Sequence, residues 1–152
     1  MSQQYQERPR PVVSAVILNK QNQVLLTLRS QKVWWPGKWC LPGGHLKGGQ
    51  DWLAAVREEV VEEVGLEFSK AELTGIYSDP KLNQLYEPKL GKTMSFVSAT
   101  FLIREFRGEV KLNEESSEFG WFSIDALPEN IFASERVKIS DALRFEGQAF
   151  VR

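Results

Sequence analysis

The chain has 152 residues, 42% of them hydrophobic and 26% charged, with a formal net charge of −1, which is the size and make-up of one ordinary folded domain, residues 1–152. That balance argues against nonspecific attraction to nucleic acid or to an anionic membrane, and no apolar run approaches the roughly 20 residues that span a bilayer. The single cysteine, Cys40, excludes an intrachain disulfide and, with only one histidine, makes a Cys/His zinc site a poor reading.

Residues 1–10 are polar, carry no apolar signal core and read as a loose arm, so a cytoplasmic location is the default expectation. Residues 11–18, PVVSAVIL, are rich in β-branched side chains and predict a buried strand. A polar break at 20–23 precedes a second strand at 24–28, and the two are expected to form a hairpin. Residues 30–38 form a loop holding Trp34 and Trp35. A short strand at 39–41 leads into a glycine loop and then a helix. Further strands are predicted at 71–78, 93–106 (the longest, fully apolar near 99–103) and 119–123. A proline-bearing loop at 79–90, an acidic loop at 113–117 and a C-terminal helix at 134–145 complete the chain. Mixed strands around one long helix, with a second near the end, predict an α+β domain. Cys40, Trp39 and Trp52 read as packing residues.

The informative stretch is 41–66, LPGGHLKGGQDWLAAVREEVVEEVGL. Asp51 is a good N-cap and Gly65 a good left-handed terminator. Between them Leu53, Val56, Val60 and Val64 recur at helical spacing and predict one apolar face. Glu59, Glu62 and Glu63 fall at i, i+3 and i+4, so their carboxylates share another patch, with Glu58 beside them. The end of a helix carries partial negative charge and disfavours acids. A hard divalent cation, which prefers oxygen ligands, is the natural compensation. The plain alternative is a solvated acidic face.

This stretch resembles the signature of the Nudix hydrolases, G-x5-E-x7-R-E-U-x-E-E-x-G-U with U aliphatic. Laid on the chain without gaps, it falls on Gly44, Gln50, Glu58, Glu59, Val60, Glu62, Glu63, Gly65 and Leu66. Two positions depart: the first glutamate is Gln50, and the arginine is Glu58, with Arg57 one step early. In the family these two positions resemble a supporting ion pair. Here a Gln50–Glu58 hydrogen bond or a swung-in Arg57 would have to replace it. The resemblance covers residues 11–127 and implies the Nudix fold, a mixed β-sheet sandwiched between α-helices.

The resemblance also implies a chemistry. It is metal-dependent hydrolysis of a pyrophosphate in a nucleoside diphosphate linked to another moiety, with magnesium, or manganese in its place, held by Glu59, Glu62, Glu63 and the Gly43 carbonyl. Glu59 is also a candidate base. A further acid six residues before Trp121 falls on Glu115, with Glu114 and Glu118 as substitutes. For each of these three an exposed acidic loop is an equal reading. Arg29 is a candidate phosphate ligand. His45 is a substrate-contact candidate without a catalytic role. Trp34, Trp35 and Tyr86 are candidates for stacking on a base or sugar. The segment 77–80 resembles one in relatives that split ADP-ribose. The expected substrate is therefore ADP-ribose or a nucleotide sugar, with no nucleic-acid or membrane partner and, as is usual among relatives, a homodimer. Two readings compete: a house-cleaning hydrolase of oxidised nucleoside triphosphates, and a nucleotide-sensing module without catalysis.

Overall fold

The computed structural model describes residues 7–152. Most of the expected N-terminal arm lies outside them, and Arg10 already belongs to the first strand, β1 (Arg10–Ile17). Alternate β1 side chains enter two different apolar layers. Val13, Ala15 and Ile17 join the cluster beneath α1 (Trp52–Val64), whereas Val16 and the following Leu18 join the one beneath α3 (Ala133–Leu143). A strand apolar on both faces has to be covered on both faces. The long strand β8 (Lys92–Ile103) does the same, with Ala99, Phe101 and Ile103 on the α1 side and Leu102 on the α3 side.

β1 and β8 pair in parallel from Arg10–Phe96 to Ile17–Ile103 and form the centre of the main sheet. Its strand order is β11 (Phe150–Val151), β6 (Glu72–Tyr77), β8, β1, β4 (Gly43–His45). β7 (Gln84–Glu87) pairs along the first residues of β8. A second sheet has the order β10 (Ser116–Phe122), β2 (Val24–Arg29), β3 (Trp39–Cys40). β5 (Glu67–Phe68) and β9 (Phe106–Arg107) form a small ribbon. Parallel and antiparallel pairs coexist and helices cover both faces, so the α+β expectation of a mixed sheet between helices holds.

Several local expectations are corrected. β1 and β2 do not form a hairpin: a single bridge, Leu18–Val24, joins them before they enter different sheets. Residues 79–90 are not all loop, since they hold the short helix α2 (Pro80–Asn83) and β7. Gly43 and Gly44 are strand residues, because β4 pairs Gly43 with Ser14 and Gly44 with Val13.

α1 is held at both ends as its sequence suggests. The Asp51 carboxylate accepts the Ala54 N–H at 2.8 Å, and Gly65, at φ +69°, returns its N–H to the Val61 carbonyl at 3.0 Å. The buried face is Ala55, Val56, Val60 and Val64; Leu53 is 48% exposed and does not belong to it. Burying each valine stabilises the helix packing by about 1.5–3 kcal/mol. No basic residue occupies its last turn, so nothing on the helix itself neutralises the acids there. Among the described residues no helix is long and apolar enough to cross a membrane.

Candidate active site

A cavity of about 580 Å³ opens where β2, β4, α1 and the start of β10 meet, within the range of small-molecule sites. Glu59, Glu62 and Glu63 of α1 line it, as does Glu115 from the turn before β10. So do Arg29 at the end of β2, and Gly43 and His45 of β4. Residues far apart in sequence are thus gathered as expected. Of the two substitutes for Glu115, neither lines the cavity: Glu114 pairs with Lys32 at 3.0 Å on the surface, and Glu118 is exposed on β10.

The glycines set the distance between strand and helix. The Gly43 N–H donates to Glu63 Oε2 at 3.1 Å. A methyl group on Gly44 would lie 2.5 Å from the Glu59 carboxyl carbon, so only glycine lets that carboxylate rest against β4. Burial is the largest influence on both acids. It lifts Glu59 to about 7, with the charges of Glu115 and Glu62 adding to the rise. It also lifts Glu63 well above the carboxylate range, reinforced by the Glu59 charge and opposed by the Gly43 hydrogen bond. Carboxylates this starved of counter-charge are hard oxygen donors suited to a divalent cation. Among the described residues no three His, Cys, Asp or Glu side chains form a closed metal cage. A magnesium site completed by waters and substrate phosphate does not need one. The donor set therefore fits.

The two departures from the signature meet each other. The Gln50 side-chain amide donates to Glu58, and Lys47 pairs with the other Glu58 oxygen. These contacts hold Glu58's carboxyl below its usual range, with the Lys47 hydrogen bond foremost. Arg57 does not swing in: it donates to the Phe68 carbonyl at 2.6 Å and lies 4.9 Å from that ring.

Arg29 donates through Nε to the Trp34 carbonyl at 2.6 Å and directs Nη1 to Cys40 Sγ at 3.9 Å. Burial pushes the Cys40 thiol up to about 11, which suits packing and not nucleophilic attack. His45 is exposed, and its partly desolvated ring, near Arg10, titrates lower than usual. Trp34 and Trp35 line the cavity. Trp35 is held at φ +50°, with its backbone N–H on the buried Glu87 carboxylate at 3.0 Å and its indole N–H on the Tyr86 carbonyl at 2.8 Å. Tyr86 itself is a correction. β7 turns Leu85 and Glu87 inward and leaves Tyr86 60% exposed, away from the cavity. The 77–80 segment is also structural: Tyr77 donates to Asp141 at 2.9 Å, and Asp79 caps α2. Trp39 and Trp52 pack against the two cores.

Sequence reasoning missed Phe96 and Phe132, which add aromatic wall, and Glu135 and Lys138 of α3, which bring charge into the same cavity. An apolar strand residue and a surface-looking helix carry no local signal of such a role.

Comparison with known proteins agrees with this architecture. The NUDIX domain profile matches residues 8–143. An ADP-ribose pyrophosphatase from Methanocaldococcus jannaschii is 33% identical over 132 residues, 86% of this chain and 71% of that protein. A nucleoside triphosphatase, NudI, from Escherichia coli is 29% identical over 121 residues, 79% of this chain and 86% of that one. Among solved structures, a MutT NUDIX hydrolase from Burkholderia pseudomallei superposes with a TM-score of 0.74 at 26% identity, covering 89% of this chain and 98% of that one. With the acid-bearing helix, its glycine strand and the sandwiching layers all in place, the chain belongs to the Nudix family of hydrolases.

Proposed function

We propose that the chain is a metal-dependent pyrophosphohydrolase of a nucleoside diphosphate derivative, with ADP-ribose or a nucleotide sugar as the substrate class. The observation that carries this is the convergence of Glu59, Glu62, Glu63 and Glu115 on one cavity that also holds a tryptophan wall. Magnesium or manganese, when bound, neutralises the pyrophosphate and lowers the pKa of water at the scissile phosphorus. Glu59 and Glu63 would be its main protein ligands, with Glu62, Glu115 and the Gly43 carbonyl completing the set. Arg29 binds a phosphate oxygen through guanidinium donors that its contacts with Trp34 and Cys40 leave available. Glu115 or Glu59 accepts the proton of the attacking water on a carboxylate oxygen. The tryptophan wall stacks on the nucleoside and keeps water from that side.

The acidic cluster serves triphosphates equally well, and the NudI likeness favours that second reading. A substrate panel with magnesium separates the two. Nucleoside monophosphate and a sugar phosphate as products support the first, and selective release of pyrophosphate from triphosphates supports the second. Tight ligand binding with no product from any substrate would leave a sensing module instead. Homodimerisation, cytoplasmic location and a one-domain chain remain part of the proposal; sedimentation equilibrium decides the first.

A further inference from the structure

The cavity contains a charged pair that the reading above does not use. Glu135 and Lys138, one turn apart on α3, line it with side chains only 8% and 7% exposed. Lys138 Nζ donates to Glu135 Oε1 at 2.9 Å, and Glu135 Oε2 accepts the Leu41 N–H at 2.8 Å. Each Glu135 oxygen therefore has its partner. An ammonium carries three donors, and among the described residues only Glu135 takes one. The Tyr77 ring, 6.0 Å from Nζ, offers a π-face and no conventional acceptor. Burying an ammonium with donors to spare is costly, and an apolar pair would serve stability as well or better. The spare donors therefore point to something that enters the cavity.

Placement says what. Glu135 grips the Leu41 amide and Glu63 grips the Gly43 amide. The two carboxylates are thus anchored two residues apart, at most about 7 Å of chain. Trp35 meets Phe96 and Phe132 edge-to-face, each at 6.0 Å, along the same cavity. Acids for a phosphate-bound cation, flat walls for a ring, and an ammonium with open donors thus line one cavity.

We propose that Lys138 is a specificity-determining residue whose open donors bind an exocyclic carbonyl oxygen of the nucleobase, so that the enzyme selects oxo bases such as hypoxanthine, guanine and uracil over adenine. This rests on the nucleotide-hydrolase reading and, of the two substrate classes given there, keeps the nucleotide sugars of oxo bases and disfavours ADP-ribose. Adenine would set an amino group against the ammonium, donor facing donor, and forfeit that hydrogen bond. A site built to hydrogen-bond one group discriminates sharply against an analogue lacking it.

Inosine and adenosine nucleotides differ at that group and in the proton on the neighbouring N1, so the matched pairs ITP against ATP and IDP-ribose against ADP-ribose test it, and the Lys138 variants separate the carbonyl from N1. The wild-type protein is expected to favour the inosine member at least tenfold in kcat/KM. Replacing Lys138 alone strands Glu135, so the variant is Glu135→Gln with Lys138→Met, which keeps an acceptor for the Leu41 amide. Its preference should fall to within about twofold, the change lying mainly in KM for the inosine substrate, and Lys138→Arg should keep part of the preference. Equal use of both bases by the wild type, or undiminished selection in the double variant, overturns the proposal. The wild-type comparison stands even if the double variant does not fold. If no substrate is hydrolysed, the enzyme reading fails separately, and calorimetry with IMP and AMP decides this one. Tenfold tighter IMP in the wild type supports it, and equal affinities overturn it.

Discussion

Glu59→Gln, studied in chelator, measures how strongly the fold strains against its own acids. In the folded protein the Glu59 carboxyl rises from 4.5 to about 7. At about 1.4 kcal/mol per pKa unit, that corresponds to roughly 3 kcal/mol lost when the group ionises in place. Glu59 is only half-buried, so solvent screening reduces the figure to about 1–2 kcal/mol. A raised folded pKa means the native state holds its proton longer than the unfolded chain. This contribution to stability is therefore complete below about pH 4.5 and is lost as the pH climbs towards 7. Glutamine mimics the protonated form. At pH 8 the variant should melt about 2–6 °C above the wild type, and at pH 4.5 the two should coincide. Magnesium should raise the melting temperature of the wild type more than that of the variant. A variant less stable than the wild type at pH 8, or a difference that ignores pH, would refute the reasoning.

The other expectations can be tested together. Glu63→Gln should cut turnover about a hundredfold or more, with no loss of metal-free stability at pH 8; unfolding would mark Glu63 as structural. Gly44→Ala places a methyl 2.5 Å from the Glu59 carboxyl, a movable side-chain end, so activity should collapse while the circular dichroism spectrum persists. Gly43→Ala places one 2.1 Å from the Val13 carbonyl, fixed backbone of β1, so it should lower the melting temperature as well. Gln50→Glu with Glu58→Arg exchanges a hydrogen-bonded pair for an ionic one and should leave turnover equal or higher; a clear drop would show that the Lys47–Glu58 contact has its own task. Trp35→Ala should raise KM about tenfold, the scale of a lost base-stacking contact, and an unchanged KM would remove it from the binding wall.

What the sequence made legible was local or periodic. Asp51, the valines of α1 and Gly65 announce the helix, and the 3.6-residue repeat alone places Glu59, Glu62 and Glu63 together. Glu115, in the turn before β10, is reachable only through the family resemblance, which implies an acid six residues before Trp121. The errors share one cause, contacts made across long stretches of chain. The polar break at 20–23 looks like a hairpin turn, yet β1 finds its main partner in β8, with Ser14 opposite Thr100 and their hydroxyls 2.8 Å apart. Tyr86 was misplaced because 84–87 becomes a strand only through pairing with β8, and the strand's period of two then decides which side chains face inward. Glu135 and Lys138 look like surface charges until α3 docks against β1, β6 and β8 and buries them.

These same long-range contacts explain why acids can stand at the wrong pole of α1. A free helix with Glu62 and Glu63 in its last turn and no nearby base would fray there. Here Val60 and Val64 are buried against the sheet, Gly65 closes the last turn, and the Gly43 N–H donates a hydrogen bond to the Glu63 carboxylate. The repulsion therefore cannot relax by unwinding the helix. It persists as an electrostatic deficit aimed into the cavity, which a cation brought with a phosphate ester would relieve. Rigid packing on one face of α1 is what allows the other face to remain reactive.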